Sequence, residues 1–163
     1  MKPGLFHLTL CMIRIEGEGG IREAQQMMTE LEKEFRKNLK LSQSSFTIKG
    51  LDTFGQRVLY AKVTPTPKDI FSDMYFTIQN RLRLANNIWS TNKFESIPHM
   101  TIVKVNRPIA RLRNSKYLPS SLYEEFKDCS FGVQPVNNIK LCVIDAETRS
   151  DGFYRTIREI DFA

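Results

Sequence analysis

The chain has 163 residues, 41% apolar and 26% charged, which suits one domain with a buried core and argues against disorder. No apolar run is long enough to cross a bilayer, so we expect no membrane partner. The three scattered cysteines favour neither a disulfide framework nor a zinc cluster. We therefore expect a single domain over 1–163 in the cytoplasm or the nucleus. The net charge of +6 favours phosphate-bearing partners, although a solvated basic surface would give the same value.

The first half of the chain predicts a strand, a helix, a hairpin and a second helix. Apolar and polar residues alternate over 5–15, which is typical of a strand, and glycines then interrupt the pattern. Apolar residues at steps of three and four predict a helix with Ile21, Ala24, Met28, Leu31, Phe35 and Leu39 buried, ending near Lys40. Two short strands are predicted near 45–50 and 57–63, and a second helix over about 68–86.

The second half predicts a strand over 97–105, a basic loop over 106–117 and a short helix over 119–128. Three more strands are predicted near 131–136, 138–144 and 153–162. The order strand, helix, strand, strand therefore occurs twice, once after each of the two histidines. This repeat suggests two similar lobes around a pseudo-twofold cleft, each an antiparallel sheet with helices outside, which is an α+β fold.

Both histidines lie in the same five-residue frame, Phe6-His7-Leu8-Thr9-Leu10 and Pro98-His99-Met100-Thr101-Ile102. Residues two apart in a strand point the same way, so each frame places an imidazole beside a hydroxyl. Cleavage of a phosphodiester needs a proton acceptor, a proton donor and groups that hold the non-bridging oxygens. Histidine suits both proton roles, and threonine can donate to phosphate. The predicted catalytic residues are therefore His7, His99, Thr9 and Thr101.

The paired frames resemble the signature of the two-histidine (2H) phosphoesterase superfamily. Further segments resemble the central domain of gamma-type A-kinase anchoring proteins, namely 51–58, 98–101, 122–126, 139–142 and 152–154. The resemblance implies a bilobal, LigT-like fold that cleaves 2′,5′-oligoadenylate or related RNA without a metal or other cofactor. It also implies binding of AMP-like nucleotides, and it leaves open which histidine is the acid and which is the base.

The chain departs from the family pattern at its start. Relatives place a strand some tens of residues before the first motif, whereas only six residues precede His7 here. A shortened first lobe would leave a sheet edge unpaired, and such an edge can recruit another strand or chain. A protein partner therefore remains open.

Five other side chains are candidates for substrate binding: Phe153, Tyr154, Phe54, Gln56 and Arg57. The first two could stack on a base or pack in the core, and the others occupy a turn-like segment that could border the cleft. The basic loop could contact an RNA backbone or simply be solvated. In a regular strand, Lys104 would lie on the face opposite Thr101.

Two other functions fit the same residues. A module that binds a nucleotide or anchors a signalling partner without turnover is consistent with the resemblance, but it needs no pair of proton-transfer groups. A metal site built from both histidines and a carboxylate is the second, and the spacing supplies no obvious third ligand. Cleavage tested in a chelator separates all three.

Overall fold

The computed structural model describes residues 3–92, 97–144 and 152–162, and it has the predicted α+β architecture. The helices are α1 (Gly17–Arg36), α2 (Leu39–Ser42), α3 (Ile70–Leu82) and α4 (Arg107–Leu112), with short 3-10 turns at Pro3–Leu5, Ser120–Leu122 and Glu124–Phe126. The strands are β1 (Ile13–Ile15), β2 (Ser45–Phe54), β3 (Val58–Thr66), β4 (Ile88–Ser90), β5 (His99–Lys104), β6 (Ser130–Pro135), β7 (Asn138–Val143) and β8 (Arg155–Asp161).

All strand pairs are antiparallel, and they form three sheets in the described residues. The largest has the order β5-β3-β2-β6, and two smaller sheets pair β1 with β4 and β7 with β8. An isolated bridge between Leu8 and Met100 joins the N-terminal segment to the free side of β5. This bridge adds a backbone contact between the N-terminal segment and the large sheet.

Two apolar clusters correspond to the two lobes. The larger packs the buried faces of α1 and α3 against residues of all three sheets, and Leu31, Ile70 and Ile160 are among its most buried side chains. The smaller packs α4 against the large sheet through Leu51, Leu59, Ala61, Val105 and Leu118. The curled antiparallel sheets with helices on their outer faces confirm the bilobal class that the sequence predicted. Along the described residues, no helix combines the length and the apolar character needed to cross a membrane.

The first helix is longer at its start than the glycines suggested. It begins at Gly17, and Gly20 packs so tightly that a β-carbon there would lie 2.8 Å from the Asn87 carbonyl oxygen and 2.9 Å from Cγ2 of Ile15. Glu23, one turn later, accepts from the backbone N–H groups of Asn86 and Asn87, both at 2.8 Å. Ile21 is 42% exposed, so its predicted place in the buried stripe is wrong.

The prediction of one continuous strand over 5–15 is wrong. The segment begins with a 3-10 turn, makes a single bridge at Leu8, and is regular strand only at Ile13–Ile15. A loop bonds the intervening backbone instead, because Met12 N–H donates to Asn92 Oδ1 (2.6 Å) and Thr91 N–H donates to the Met12 carbonyl (2.9 Å). That loop runs on from β4, a strand that the sequence analysis did not predict.

Two predictions near the basic segment also fail. The expected loop over 106–117 contains α4, because the Asn106 side chain caps it by accepting from Ile109 N–H at 3.0 Å and a proline lies in its first turn. The expected helix over 119–128 is instead two 3-10 turns.

The sequence repeat does not coincide with the lobes. Strands β2 and β3 follow His7 in the chain, yet they share a sheet with β5, which carries His99. Conversely, β8 follows His99 but packs beside α1, where Arg158 bonds Glu32 at 3.2 Å. Each lobe is therefore completed by strands from the other half of the sequence.

Candidate active site

The bridge between Leu8 and Met100 brings the two His-x-Thr frames side by side. Each of these two residues is the centre of its frame, and both pack towards the larger apolar cluster. In an antiparallel pair, the residue before one partner lies opposite the residue after the other. His7 is thus opposite Thr101, and Thr9 is opposite His99. The two histidines are diagonal neighbours, with backbones about 7–8 Å apart.

Both imidazoles are held by the same hydrogen bond. His7 Nδ1 lies 2.7 Å from the carbonyl oxygen of Leu5, and His99 Nδ1 lies 2.7 Å from that of Ile97, in each case two residues earlier. A carbonyl only accepts, so each Nδ1 must carry the hydrogen. In the neutral ring, Nε2 is then the atom with the free lone pair, and it is the atom available for proton transfer.

Each imidazole also meets the edges or faces of two aromatic rings. The ring of His7 lies 5.4 Å from Tyr154 and 6.4 Å from Phe153, both nearly perpendicular to it. The ring of His99 lies 5.0 Å from Phe54 and 5.5 Å from Tyr60. These contacts restrict the orientation of both rings. We call the surface between the two imidazoles the groove, and Phe54 beside it is 37% exposed.

The predicted substrate-binding residues fall into two groups. Phe54, Phe153 and Tyr154 lie against the two imidazoles, as described above. Gln56 and Arg57 lie in the turn between β2 and β3, where their carbonyls accept from Leu118 N–H (2.8 Å) and Val105 N–H (2.9 Å). That turn is at the Lys104 end of β5, although the Phe54 ring at its start reaches back to His99. A substrate-binding role for Gln56 and Arg57 stays a prediction.

Tyr60 is a site residue that the sequence analysis missed. It pairs with Thr101 across β3 and β5, and its ring stacks on Phe54 at 4.2 Å. Burial raises the pKa of the Tyr60 phenol, and the charge of Asp52 and a hydrogen bond to its carboxylate raise this pKa further. The only sequence signal was an aromatic residue with a polar tip among the apolar residues at the start of β3, which core packing explains equally well.

Lys104 lies on the same face as Thr101, contrary to the expectation for a regular strand. Thr101 pairs with Tyr60 and Lys104 pairs with Val58, and the register shifts by one residue between these pairs. Since Val58 and Tyr60 are two apart and share a face, their partners share it too. This irregularity around Ile102 could not be read from the alternation of residue types.

Within the described ranges, no three His, Cys, Asp or Glu side chains lie close enough together to hold a metal ion. What the frames do supply is two proton-transfer atoms and two hydroxyls on one face, which is the set that phosphodiester chemistry requires.

The sequence is similar to known proteins over almost its whole length. The model of a family described as the AKAP7 2′5′ RNA ligase-like domain matches residues 1–162. The chain is 25% identical over 155 residues to human A-kinase anchor protein 7 isoform gamma, and the match covers 94% of this chain. It spans 44% of that relative, so more than half of the relative has no counterpart in the chain.

Proposed function

Because the chain belongs to the AKAP7 2′5′ RNA ligase-like domain family, we propose that it is a phosphodiesterase that cleaves 2′,5′-oligoadenylate or related RNA phosphodiester bonds without a metal ion. The observation that carries this proposal is the facing pair of His-x-Thr frames. The bridge between Leu8 and Met100 and the identical Nδ1 bonds of the two rings support proton transfer at each Nε2.

The reaction we envisage is an in-line transesterification or hydrolysis. One neutral imidazole takes a proton from the adjacent ribose hydroxyl, or from water, as that oxygen forms a bond to phosphorus. The other imidazole, protonated, gives its proton to the leaving oxygen as the second phosphorus–oxygen bond breaks. Thr9 and Thr101 donate to the non-bridging oxygens, whose charge shifts in the transition state.

Because the two frames are arranged with near-twofold symmetry, their geometry does not decide which histidine is the acid and which is the base. Each imidazole faces the threonine of the other frame, and both are tied to the backbone at the same distance. The direction in which the nucleotide chain lies across the groove would then determine which histidine acts as base. A reaction of this kind, with one neutral and one protonated ring, has a bell-shaped pH–rate profile.

A nucleotide-binding or anchoring module is the second candidate, and the name of the human relative favours it. A module of this kind would bind an AMP-like nucleotide or a signalling protein and release it unchanged. It gives no reason for two equivalent proton-transfer atoms on one face, which is why the enzyme is the preferred reading.

The deciding experiment incubates the protein with 2′,5′-linked and 3′,5′-linked oligoadenylates in EDTA and identifies products by mass. The enzyme predicts shortened products in EDTA from at least one linkage, and their loss in the His7→Ala/His99→Ala double variant. Saturable binding without products would support the module instead. Cleavage that EDTA abolishes and a divalent cation restores would overturn the metal-free mechanism.

A further inference from the structure

Six cations lie on β5, on α4 and in the turns beside them, at one end of the large sheet, and we call this set the basic end: Arg57, Lys104, Arg107, Arg111, Arg113 and Lys116. All six are exposed, and none forms an ion pair with an acidic side chain in the described residues. The stretch 97–123, which contains five of them, has no Asp or Glu at all.

The basic end accounts for the whole excess charge of the protein. The chain has 24 Lys and Arg and 18 Asp and Glu, so the 18 cations outside these six are balanced by the acids. Among the described residues, most of the cations in ion pairs lie on the helices and on the small β7–β8 sheet, as with Arg81 between Glu30 and Glu34. A positive field concentrated at one place attracts a polyanion to that place.

Lys104 connects the basic end to the face of the large sheet that carries His99 and Thr101, whereas α4 packs on the opposite face, with Leu59 and Ala61. Val105 N–H donates to the Arg57 carbonyl and Leu118 N–H donates to the Gln56 carbonyl, which fastens the β2–β3 turn to both sides of α4. The register shift in β5 puts Lys104 on the same face as Thr101, at the start of this surface. From His99 to Lys104 the strand covers about 17 Å, at roughly 3.3 Å per residue.

We propose that the basic end is a second binding surface for the phosphate backbone of a nucleic-acid substrate, several nucleotides away from the bond that is cleaved. The proposal rests on the proposed function for the nature of the ligand. A dinucleotide held between the two histidines is too short to cover about 17 Å of strand, whereas a chain of several nucleotides follows that face to Lys104. The surface thus selects long chains over short ones.

Two exposed apolar side chains within the basic end are compatible with this ligand. Tyr117 is 56% exposed and Leu112 is 87% exposed, and an exposed aromatic ring beside cations can stack on a base of a single strand. An anionic membrane would also attract cations interleaved with apolar groups. It would not need the link through Lys104 to the histidine groove, and for that reason we choose the nucleic acid.

The test compares two triple variants with the same loss of charge. The first, Arg111→Gln/Arg113→Gln/Lys116→Gln, removes half of the basic end. The control, Lys33→Gln/Lys37→Gln/Lys68→Gln, removes three exposed cations elsewhere that form no ion pair in the described residues. Both are made in the wild-type protein and in the His7→Ala/His99→Ala background, and matching thermal unfolding shows that folding is retained.

In the double-alanine background, which does not consume the ligand, we measure binding of a fluorescent 2′,5′-linked adenylate 12-mer by anisotropy over a range of salt. We expect the dissociation constant to rise at least tenfold in the basic-end variant and less than twofold in the control. The slope of log Kd against log salt should fall by about 2 for three lost backbone contacts. In the wild-type background, the kcat/KM ratio of the 12-mer over the dimer should fall at least threefold.

Equal changes in the two variants would overturn the proposal, because the effect would then follow net charge alone. Vesicles of phosphatidylserine and phosphatidylcholine form the second arm. Vesicle binding that needs the basic end, together with 12-mer binding that does not, would overturn the proposal in favour of a membrane. If neither oligonucleotide is cleaved but the 12-mer still binds through the basic end, the proposed catalysis fails and this surface stands.

Discussion

The two histidines have the same immediate chemistry and very different support. Both rings donate from Nδ1 to the carbonyl two residues earlier at 2.7 Å, and each lies against two aromatic rings. His99, however, begins a regular strand and pairs with Lys62 in a four-stranded sheet. His7 sits between a 3-10 turn and a single bridge. The short motif therefore fixes the geometry of its own imidazole ring, whether it lies in a regular strand or between a turn and a single bridge.

The aromatic rings that contact the two histidines also come from different parts of the chain. Phe54 and Tyr60, which contact His99, come from the β2–β3 hairpin, whose strand β3 pairs with β5. Phe153 and Tyr154, which contact His7, come from the far end of the chain. The His7 side thus depends on long-range packing of α1, β4 and β8, and changes there should disturb the site more than equivalent changes under β5.

The largest effect is expected from the histidines themselves. His7→Ala and His99→Ala should each lower kcat about 10²- to 10⁴-fold, because each removes one of two required proton transfers. The double variant should be little worse than the more damaged single variant, since the two groups act as a unit. Steady-state cleavage of the preferred oligoadenylate measures this. Turnover like that of the wild type in either single variant would end the symmetrical mechanism.

The threonines should follow. Thr9→Val and Thr101→Val keep the β-branched shape and remove the hydroxyl, so we expect kcat/KM to fall about 10- to 100-fold, the usual range for a hydrogen bond to a charged group. Thr→Ser at either position is the matched control and should keep most of the activity. If only Thr101→Val is impaired, the phosphate lies nearer to the His99 frame than the bridge geometry indicates.

The third prediction concerns the support of the His7 side. Gly20→Ala should destabilise the protein by about 1–2 kcal/mol, because the new methyl group meets the Asn87 carbonyl at 2.8 Å and overpacking of this kind costs 1–3 kcal/mol. Gly19→Ala is the control. It has nothing within 4 Å and should stabilise α1 by up to about 1 kcal/mol. Urea unfolding at neutral pH compares the two. Equal stability in both variants would show that α1 is not packed against the loop before β4.

The smallest effect is expected at Tyr60, on the His99 side. In the folded protein the Tyr60 phenol has a pKa above its ordinary value of 10.0, because burial and then the Asp52 carboxylate raise it. The stability that this proton provides is present below pH 10 and is lost as the pH rises through the folded-state pKa. The melting temperature of wild type should therefore fall more steeply than that of Tyr60→Phe above pH 10, by a degree or so. Parallel alkaline curves would contradict this.

Local patterns predicted much of the framework. The two long helices were correct in type, most of the buried positions of α1 were correct, and the β2–β3 hairpin and the strands after it were placed within a few residues. The errors have a common cause. Strand β4, the interrupted strand near His7 and the capped helix α4 all depend on partners distant in sequence or on a side-chain bond such as that of Asn106, which alternation does not record.

The sequence alone predicted which side chains would act together, because a histidine and a threonine two residues apart on an extended backbone share a face. The sequence did not predict that the two frames would meet, since one antiparallel bridge between residues in different halves of the chain brings them together. The exchange of strands between lobes and the turning of Lys104 towards the groove were likewise settled in three dimensions. Strand pairing decides which residues become neighbours, and a one-residue bulge reverses the face that the following side chains occupy. The pattern of residue types along the chain records neither of these.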